Sequence, residues 1–216
     1  MSVPCGLCGH RSTVAFETRR DGIPYHRCFS CGYVQKDASR IPTNDEERRR
    51  YLLHENDAGD PGYVRWLESF LEFSLIPELP VGAGVLDFGS GPEPVLAGML
   101  RGRGYEVSLE DPYFAPGIPP GPFHLITALE VFEHLSRPRD VLNSLTSRLL
   151  PRGRLCISTE FLPQKPEDFE NWHYRSDPTH IGFFTKRGLL EAAESAGLEG
   201  RECDGRRYIA FAKPPC

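Results

Sequence analysis

From Val81 onward, apolar runs alternate with helical patterns, and this alternation restricts the possible folds more than any other feature of the chain. Strands are predicted over Val85–Phe88, Glu106–Leu109, Phe123–Leu129, Arg154–Thr159 and Arg207–Ala212. Helices are predicted over Pro94–Gly102, Pro138–Leu150 and Lys186–Ala196. Strands that alternate with helices form a doubly wound, mostly parallel α/β sheet, whose ligand lies at the carboxyl ends of the strands.

The segment before this alternation predicts helices. Thr43 or Asn44 can cap a helix whose acidic first turn precedes Arg48–Arg50, and we interpret these charges as a solvated helix face rather than a nucleic-acid contact. A second helix is predicted to begin at Asp60, with an apolar stripe that packs on the sheet. The predicted organisation is a small N-terminal unit over residues 1–37, a helical connector over 43–80 and an α/β domain over 81–216.

Four of the seven cysteines form two pairs, Cys5-x-x-Cys8 and Cys28-x-x-Cys31, separated by residues 9–27. Two such pairs at this distance are a strong zinc signature, because four thiolates complete a tetrahedron around Zn²⁺ and leave no open position. A segment this short cannot bury a large apolar core, so metal binding would supply its folding energy. We therefore predict a structural zinc ribbon, with a redox-active dithiol as the alternative.

Composition narrows the classes of function. The chain has 25 basic and 30 acidic residues and a net charge of −5, which argues against nucleic-acid binding by bulk charge alone. No apolar run approaches the roughly 18 residues of a membrane span, and the N-terminus lacks a secretory pattern. These features predict a cytoplasmic protein without a membrane partner, and they leave its oligomeric state open.

The first strand leads into the turn Gly89-Ser90-Gly91, where two glycines allow a ligand to approach the backbone closely. Asp87, just before this turn, could contact an ammonium group of that ligand. The next strand ends in Glu110-Asp111, about 20 residues further on, which is the spacing at which an acid binds ribose hydroxyls. Residues 92–94 (Pro-Glu-Pro) remove N–H donors and add negative charge, so the turn suits a cofactor without phosphates.

These motifs resemble those of class I S-adenosylmethionine-dependent methyltransferases. Val85–Gly91 is similar to the first motif of that family, Phe123–Leu135 to its fourth motif and Leu150–Leu155 to the turn before its fifth strand, although His124 and Arg152 depart from the usual residues. The resemblance covers residues 81–216 and implies a Rossmann-like fold with S-adenosylmethionine as cofactor. The implied cofactor-binding residues are Asp87, Gly89, Gly91, Leu129 and Asp111, with Glu110 as the alternate acid.

Two segments carry candidate catalytic residues. The run Glu130-x-x-Glu133-His134 is predicted to place three side chains on one helical face, and a later polar loop, Trp172–Phe184, contains His180 before an aromatic pair. The first run is similar to one in ubiquinone-type O-methyltransferases. Small-RNA 2′-O-methyltransferases have the run and the later histidine, and this resemblance implies a second divalent ion held by Glu130, Glu133, His134 and His180.

A metal-free alternative remains open, in which Glu130 contacts cofactor or substrate, Glu133 and His134 brace a helix, and His134 or His180 acts as general base. The predicted reaction is O-methylation of a small molecule, or of a nucleotide or RNA hydroxyl. A different class of function, a non-catalytic binding module with a zinc head, is disfavoured by the intact cofactor motifs. Three aromatic residues are predicted to stack on the acceptor, namely Trp172, Tyr174 and Phe183.

Overall fold

The computed structural model describes residues 3–53, 57–74 and 79–215, and its larger β-sheet has six strands. These are β4 (Gly84–Phe88), β5 (Glu106–Glu110), β6 (Phe123–Leu129), β7 (Leu149–Ser158), β9 (Glu199–Cys203) and β10 (Tyr208–Ala212). Their order is β5-β4-β6-β7-β10-β9, in which the first four are parallel and β10 is antiparallel to both neighbours. This arrangement confirms the predicted Rossmann-like, mostly parallel sheet.

Helices cover both faces of this sheet. The described α-helices are α1 (Asn44–Tyr51), α2 (Pro61–Phe73), α3 (Val95–Gly102), α4 (Pro138–Ser147) and α5 (Lys186–Ser195). Leucines of α2 and α3 pack on one face of the sheet, and those of α4 and α5 pack on the other. The apolar stripe of α2 therefore packs on the sheet, as predicted. Among the described residues, no helix combines the length and apolar character needed to cross a bilayer.

Side-chain caps fix the two helices of the connector. The Thr43 hydroxyl accepts from the backbone N–H of Glu46, whose carboxylate accepts in return from the backbone N–H of Thr43. In α2, Asp60 caps the first turn and Pro61 occupies the first helical position. Residues 54–56 and 75–78 of the predicted connector lie outside the described residues.

A second, antiparallel sheet holds the N-terminal unit, with strands β1 (Thr13–Glu17), β2 (Pro24–Cys28) and β3 (Val34–Lys36). Its fourth strand, β8 (Gly182–Phe183), comes from the loop that follows β7 and pairs with β3. We did not predict β8, since two residues give no periodicity. The cysteines of the N-terminal unit also share one apolar cluster with Phe184 and Leu189. The ribbon is therefore continuous with the α/β domain.

Two other differences from the predicted elements have simple physical causes. Helix α4 ends at Ser147 rather than Leu150, because the chain passes directly into β7, where Arg152 has a φ of 64° and bends the strand. Strand β9 lies at the edge of the sheet, where its mostly exposed residues give no apolar alternation that would predict a strand.

Candidate active site and cysteine cluster

A cleft of about 730 Å³ opens where β4, β5 and β6 end. It is lined by the turn after β4, by residues that follow β5 and β6, and by side chains from α1, α2 and the loop after β7. Its volume lies within the range of small-molecule and cofactor sites in proteins. The cleft also occupies the carboxyl edge of the parallel strands, which is the expected ligand position in a sheet of this kind.

The glycine turn after β4 forms the floor of the cleft. Gly91 has a φ of 67°, and a Cβ atom added there would meet no other atom within 4 Å, so the space beside it remains for a ligand. Gly89 has a different reason to be glycine, since a Cβ atom at that position would come within 2.3 Å of Val131. Gly89 also lines the cleft, so both glycines of the predicted turn border the space for a ligand. Between them, the buried Ser90 hydroxyl has no hydrogen-bond partner among the described residues.

Asp87 lies beneath this turn and is only 3% exposed. Burial raises the pKa of its carboxyl group to about 6, although a hydrogen bond donated by the Thr127 hydroxyl (3.1 Å) partly opposes the shift. A buried carboxylate of this kind is stabilised by a positively charged partner. The ammonium group of S-adenosylmethionine would be such a partner, so the residue present fits the cofactor at this point.

Asp111 follows β5 and fixes the cofactor turn from the other side. Its carboxylate accepts from the backbone N–H groups of Gly91 (3.0 Å), Tyr113 (2.8 Å) and Phe114 (3.1 Å). The alternate acid, Glu110, forms an ion pair with Arg148 (2.6 Å). Asp111 is thus the acid that joins the two loops of the cleft. Leu129, the last residue of β6, also lines the cleft.

Glu130 does not share a helical face with the two residues that follow it in the predicted run. It directly follows β6 with a φ of 52°, and only Phe132–His134 form a short 3₁₀-helix. The prediction failed because it assumed a helix, whereas Glu130 turns the chain in a left-handed conformation that is costly for a residue with a side chain. Its carboxylate accepts from the hydroxyls of Ser158 (2.5 Å) and Tyr174 (3.0 Å).

Glu133 is completely buried behind the cleft. Its Oε1 atom is hydrogen-bonded to the Tyr174 hydroxyl, whereas Oε2 has no hydrogen-bond partner in the described part of the chain. Burial, with the nearby charge of Glu130 as a smaller cause, raises the pKa of Glu133 well above the ordinary value of a glutamate. A buried carboxylate oxygen without a partner is energetically costly unless a ligand binds it.

His134 and His180 lie beside Glu133, and one ligand atom from each of the three residues lies within 4.8 Å of the others. Nδ1 of His134 is 3.0 Å from the Thr179 carbonyl oxygen, and Nδ1 of His180 is 2.6 Å from that of Tyr174. A carbonyl partner on Nδ1 fixes the proton there and leaves a lone pair on Nε2, which is the usual arrangement of metal-binding histidines. Glu130 is not part of this group of three.

The aromatic residues of the cleft differ from those predicted. None of Trp172, Tyr174 and Phe183 lines the cleft. Phe183 is completely buried, and the Tyr174 hydroxyl is hydrogen-bonded to the carboxylates of Glu130 and Glu133. Tyr51 of α1 and Tyr113 after β5 line it instead. The sequence held no signal for these two, because their approach depends on how the connector folds over the sheet.

The four predicted zinc-binding cysteines converge in the ribbon. The Sγ atoms of Cys5 and Cys31 are 3.6 Å apart, as are those of Cys8 and Cys28, and all four lie within 4.8 Å of one another. Without a cation, four adjacent thiols cannot all be ionised. A hydrogen bond from Cys31 lowers the pKa of Cys5 to about 5, whereas burial raises that of Cys8 to about 11. The cluster has the donor set and spacing that a structural Zn²⁺ requires.

Comparison with known proteins identifies the family. A family model described as a methyltransferase domain matches residues 60–202, which is more than half of the chain. The chain therefore belongs to the class I S-adenosylmethionine-dependent methyltransferases, and it is an enzyme of that class.

Similar solved structures show the same fold. The 1,6-didemethyltoxoflavin N1-methyltransferase of Burkholderia thailandensis, with bound 1,6-didemethyltoxoflavin and S-adenosylhomocysteine, is 17% identical with a TM-score of 0.56. That match covers 86% of this chain and 96% of the other. An O-methyltransferase family protein from Burkholderia thailandensis is 14% identical with a TM-score of 0.55, over 82% of this chain and 62% of the other. At these identities the likeness concerns the fold alone.

One curated relative shares a short segment. The mitochondrial ubiquinone biosynthesis O-methyltransferase of Schizosaccharomyces pombe is 48% identical over 40 residues. These residues are 18% of this chain and 15% of the yeast protein. The similarity therefore covers a local segment and only a small part of that relative.

Proposed function

We propose that this methyltransferase methylates a hydroxyl group of a small molecule, with assistance from a divalent ion held by Glu133, His134 and His180. The observation that carries the proposal is the convergence of these three ligand groups within 4.8 Å, two of them on the cleft wall. S-adenosylmethionine would supply the electrophilic methyl group, and the ion would lower the pKa of the acceptor hydroxyl.

The residues around the glycine turn hold and orient the cofactor. Asp87 offers a buried carboxylate to its ammonium group, Gly91 leaves room for its chain, and the Ser90 hydroxyl gains a partner. Asp111 holds the turn and accepts from a ribose hydroxyl with its remaining lone pair. Such positioning contributes to the rate because the methyl group and the nucleophile must be aligned.

The ion-binding group combines one carboxylate oxygen with two imidazole nitrogens, a set that suits Mn²⁺, Fe²⁺ or Zn²⁺. We assign Glu130, which lines the cleft beside this group, as the acceptor of the hydroxyl proton. Ser158 and Tyr174 hold its carboxylate in place. In the metal-free alternative, His134 or His180 accepts that proton.

Manganese binding, followed by electron paramagnetic resonance, tests the ion site without an acceptor. We expect wild-type protein that holds one zinc per chain, in the ribbon, to bind one Mn²⁺ per chain and His180→Ala to bind it at least about tenfold more weakly, which is ~1.4 kcal/mol. His173→Ala is the matched control, since His173 lies in the same loop but its side chain is 76% exposed. Calorimetric affinity for S-adenosylhomocysteine should be unchanged in both variants.

The opposite outcome separates the two mechanisms. If wild-type protein binds no Mn²⁺, Fe²⁺ or Zn²⁺ beyond the ribbon metal, the ion site is wrong and the histidine general base takes its place. Once an acceptor is known, exhaustive chelation of that second site should abolish turnover, and added Mn²⁺ should restore it.

We also infer that Cys5, Cys8, Cys28 and Cys31 hold a structural Zn²⁺. Zinc–sulfur bonds of about 2.3 Å in a tetrahedron place sulfur atoms ~3.8 Å apart, close to the 3.6 Å separations in the ribbon. Three of the cysteines are buried in the apolar cluster that contains Leu189 of α5. The zinc would therefore stabilise the ribbon and the surface on which it packs.

A further inference from the structure

We propose that the methyl acceptor is a compact aromatic molecule without phosphate or carboxylate groups, either neutral or cationic. This inference rests on the proposed hydroxyl methylation and names the chemical class of the acceptor. It excludes nucleotides and RNA ends, which the sequence left open. Two independent features of the cleft carry it, the sign of its charges and the position of its aromatic rings.

The charged side chains of the cleft are all acidic. None of the described lining residues is a lysine or arginine. Two of the acids are neutralised by cations from outside the cleft, Glu110 by Arg148 (2.6 Å) and Asp177 by Arg50 (2.8 Å). Five other acids also line the cleft, namely Glu47, Asp87, Glu93, Asp111 and Glu130.

The cofactor and the proposed ion do not reverse this sign. S-adenosylmethionine adds a sulfonium, an ammonium and a carboxylate, and a divalent ion adds two positive charges, so the five acids still exceed the added charge. Because the acceptor hydroxyl occupies the proposed ion during the reaction, a phosphate elsewhere on the acceptor would lose its hydration without gaining an arginine or lysine partner. A carboxylate would meet the same penalty, whereas a hydroxyl or an ammonium group would not.

Aromatic rings that are fixed by hydrogen bonds also line the cleft. The rings of Tyr51 and Tyr113 are 5.9 Å apart between centroids, and the Tyr51 ring lies 5.2 Å from that of His134. Both tyrosine hydroxyls donate to the Glu47 carboxylate, at 2.5 Å and 2.7 Å, which holds the rings in position. Fixed rings of this kind stack on a flat acceptor, and their faces also attract a cation.

A matched set of ring compounds tests the proposal on full-length protein loaded with S-adenosylhomocysteine. The probes are 4-methylcatechol, 4-(2-aminoethyl)catechol, 3,4-dihydroxyphenylacetate, adenosine and adenosine 5′-monophosphate, each measured by calorimetry. We expect the methyl and aminoethyl catechols to bind, and the carboxylate to bind at least about tenfold more weakly. The monophosphate should bind less tightly than adenosine.

Charge variants of Glu47 sharpen the test. Glu47→Gln keeps a hydrogen-bond acceptor for the tyrosines but removes the negative charge. It should therefore lower the affinity for the cationic aminoethyl catechol several-fold and leave the affinity for the methyl catechol unchanged. Glu47→Lys should bring the affinity of the carboxylate probe up to that of the methyl probe. Glu68→Lys, on the exposed side of α2 and outside the cleft, is the control and should change neither.

Each other outcome overturns a defined part of the argument. If the carboxylate or the monophosphate binds as tightly as its neutral counterpart, or if no probe binds to protein that holds S-adenosylhomocysteine, the acceptor class is wrong. If S-adenosylhomocysteine itself does not bind, the failure lies in the proposed function. The two failures are therefore distinguishable in one set of titrations.

Discussion

Asp87 and Asp111 are both carboxylates of the cofactor site, but their surroundings give them different roles. Asp87 accepts one hydrogen bond and is otherwise enclosed, so its ionised form is destabilised until a cation arrives. Asp111 accepts hydrogen bonds from three backbone N–H groups, which hold two loops of the cleft together. The first residue therefore contributes chiefly to charge, and the second chiefly to the shape of the site.

The raised pKa of Asp87 predicts that cofactor binding depends on pH. The ammonium group pairs with the ionised carboxylate, so affinity is full above the free-protein pKa of about 6 and falls by up to about tenfold per pH unit below it. The positive charge of Arg101 opposes this rise in the pKa of Asp87, and the negative charge of Asp111 adds to it. Calorimetry with S-adenosylhomocysteine over roughly pH 4.5 to 8 measures this dependence. Asp87→Asn should bind weakly with no such dependence; the same slope in that variant would assign the titration to another group.

Removal of the Asp111 carboxylate should weaken cofactor binding, because the glycine turn after β4 loses an anchor. Asp111→Ala leaves the N–H groups of Gly91, Tyr113 and Phe114 without their acceptor, and we expect affinity for S-adenosylhomocysteine to fall at least about tenfold. Asp111→Asn retains one acceptor oxygen and should lose less. Glu110→Gln is the matched control, because Glu110 is paired with Arg148. A larger loss in the Glu110 variant would exchange the roles of the two acids.

At the scale of elements, periodic segments could be predicted and segments defined by tertiary contacts could not. Strands β4 and β6 and helix α2 were located by their apolar patterns and caps. Glu130, in contrast, ends a strand in a left-handed turn that no pattern signals, although its neighbours suggest a helix. The candidate residues were identified by type and spacing, but the grouping of Glu133, His134 and His180 without Glu130 arises from that single turn.

The His180 loop is held by the ribbon, and Lys36 is the clearest link between them. The backbone N–H of Lys36 donates to the Ile181 carbonyl, and its buried Nζ atom donates to the Pro178 carbonyl, both at 2.8 Å. A second link joins Arg175 of the loop to Asp21 of the ribbon (2.7 Å). These contacts hold the segment on either side of His180.

Lys36→Met should therefore impair the loop without affecting the cofactor. The substitution keeps the length of the side chain but leaves the Pro178 carbonyl without its donor, which costs about 1–3 kcal/mol. We expect faster amide exchange over residues 174–184 and Mn²⁺ affinity lower by about tenfold, with unchanged affinity for S-adenosylhomocysteine. The exposed Lys186→Met is the control. Loop exchange equal to wild type would show that the β3–β8 pairing alone positions the loop.

For the whole molecule, the ribbon and the α/β domain form one structure. The sequence separated them into residues 1–37 and 81–216, because a composition change marks the end of the cysteine-rich segment. It could not show that β8 returns from the far end of the chain to complete the ribbon sheet, since such pairing depends on the folded position of both units. The ribbon consequently contacts the loop that carries His180 as well as its own strands.

Replacement of Cys28 by Ser should therefore affect more than the ribbon. Loss of one ligand releases the zinc, and residues 3–40 and 172–185 should lose amide protection together, because they share β3–β8 and the bond from Thr185 Oγ1 to the Cys31 carbonyl. The glycine turn lies outside these contacts, so affinity for S-adenosylhomocysteine should change less than about threefold.

Elemental analysis and hydrogen exchange on the same samples measure this, with Cys203→Ser as the control, since Cys203 lies outside the cysteine cluster. Zinc content should fall from about one per chain to near zero in Cys28→Ser and stay unchanged in the control. Native protein without zinc, whose four cysteines all react with an alkylating agent, would contradict the zinc assignment. A zinc-free Cys28→Ser variant that keeps full protection over 172–185 would instead show that apolar packing between ribbon and domain suffices to hold the loop.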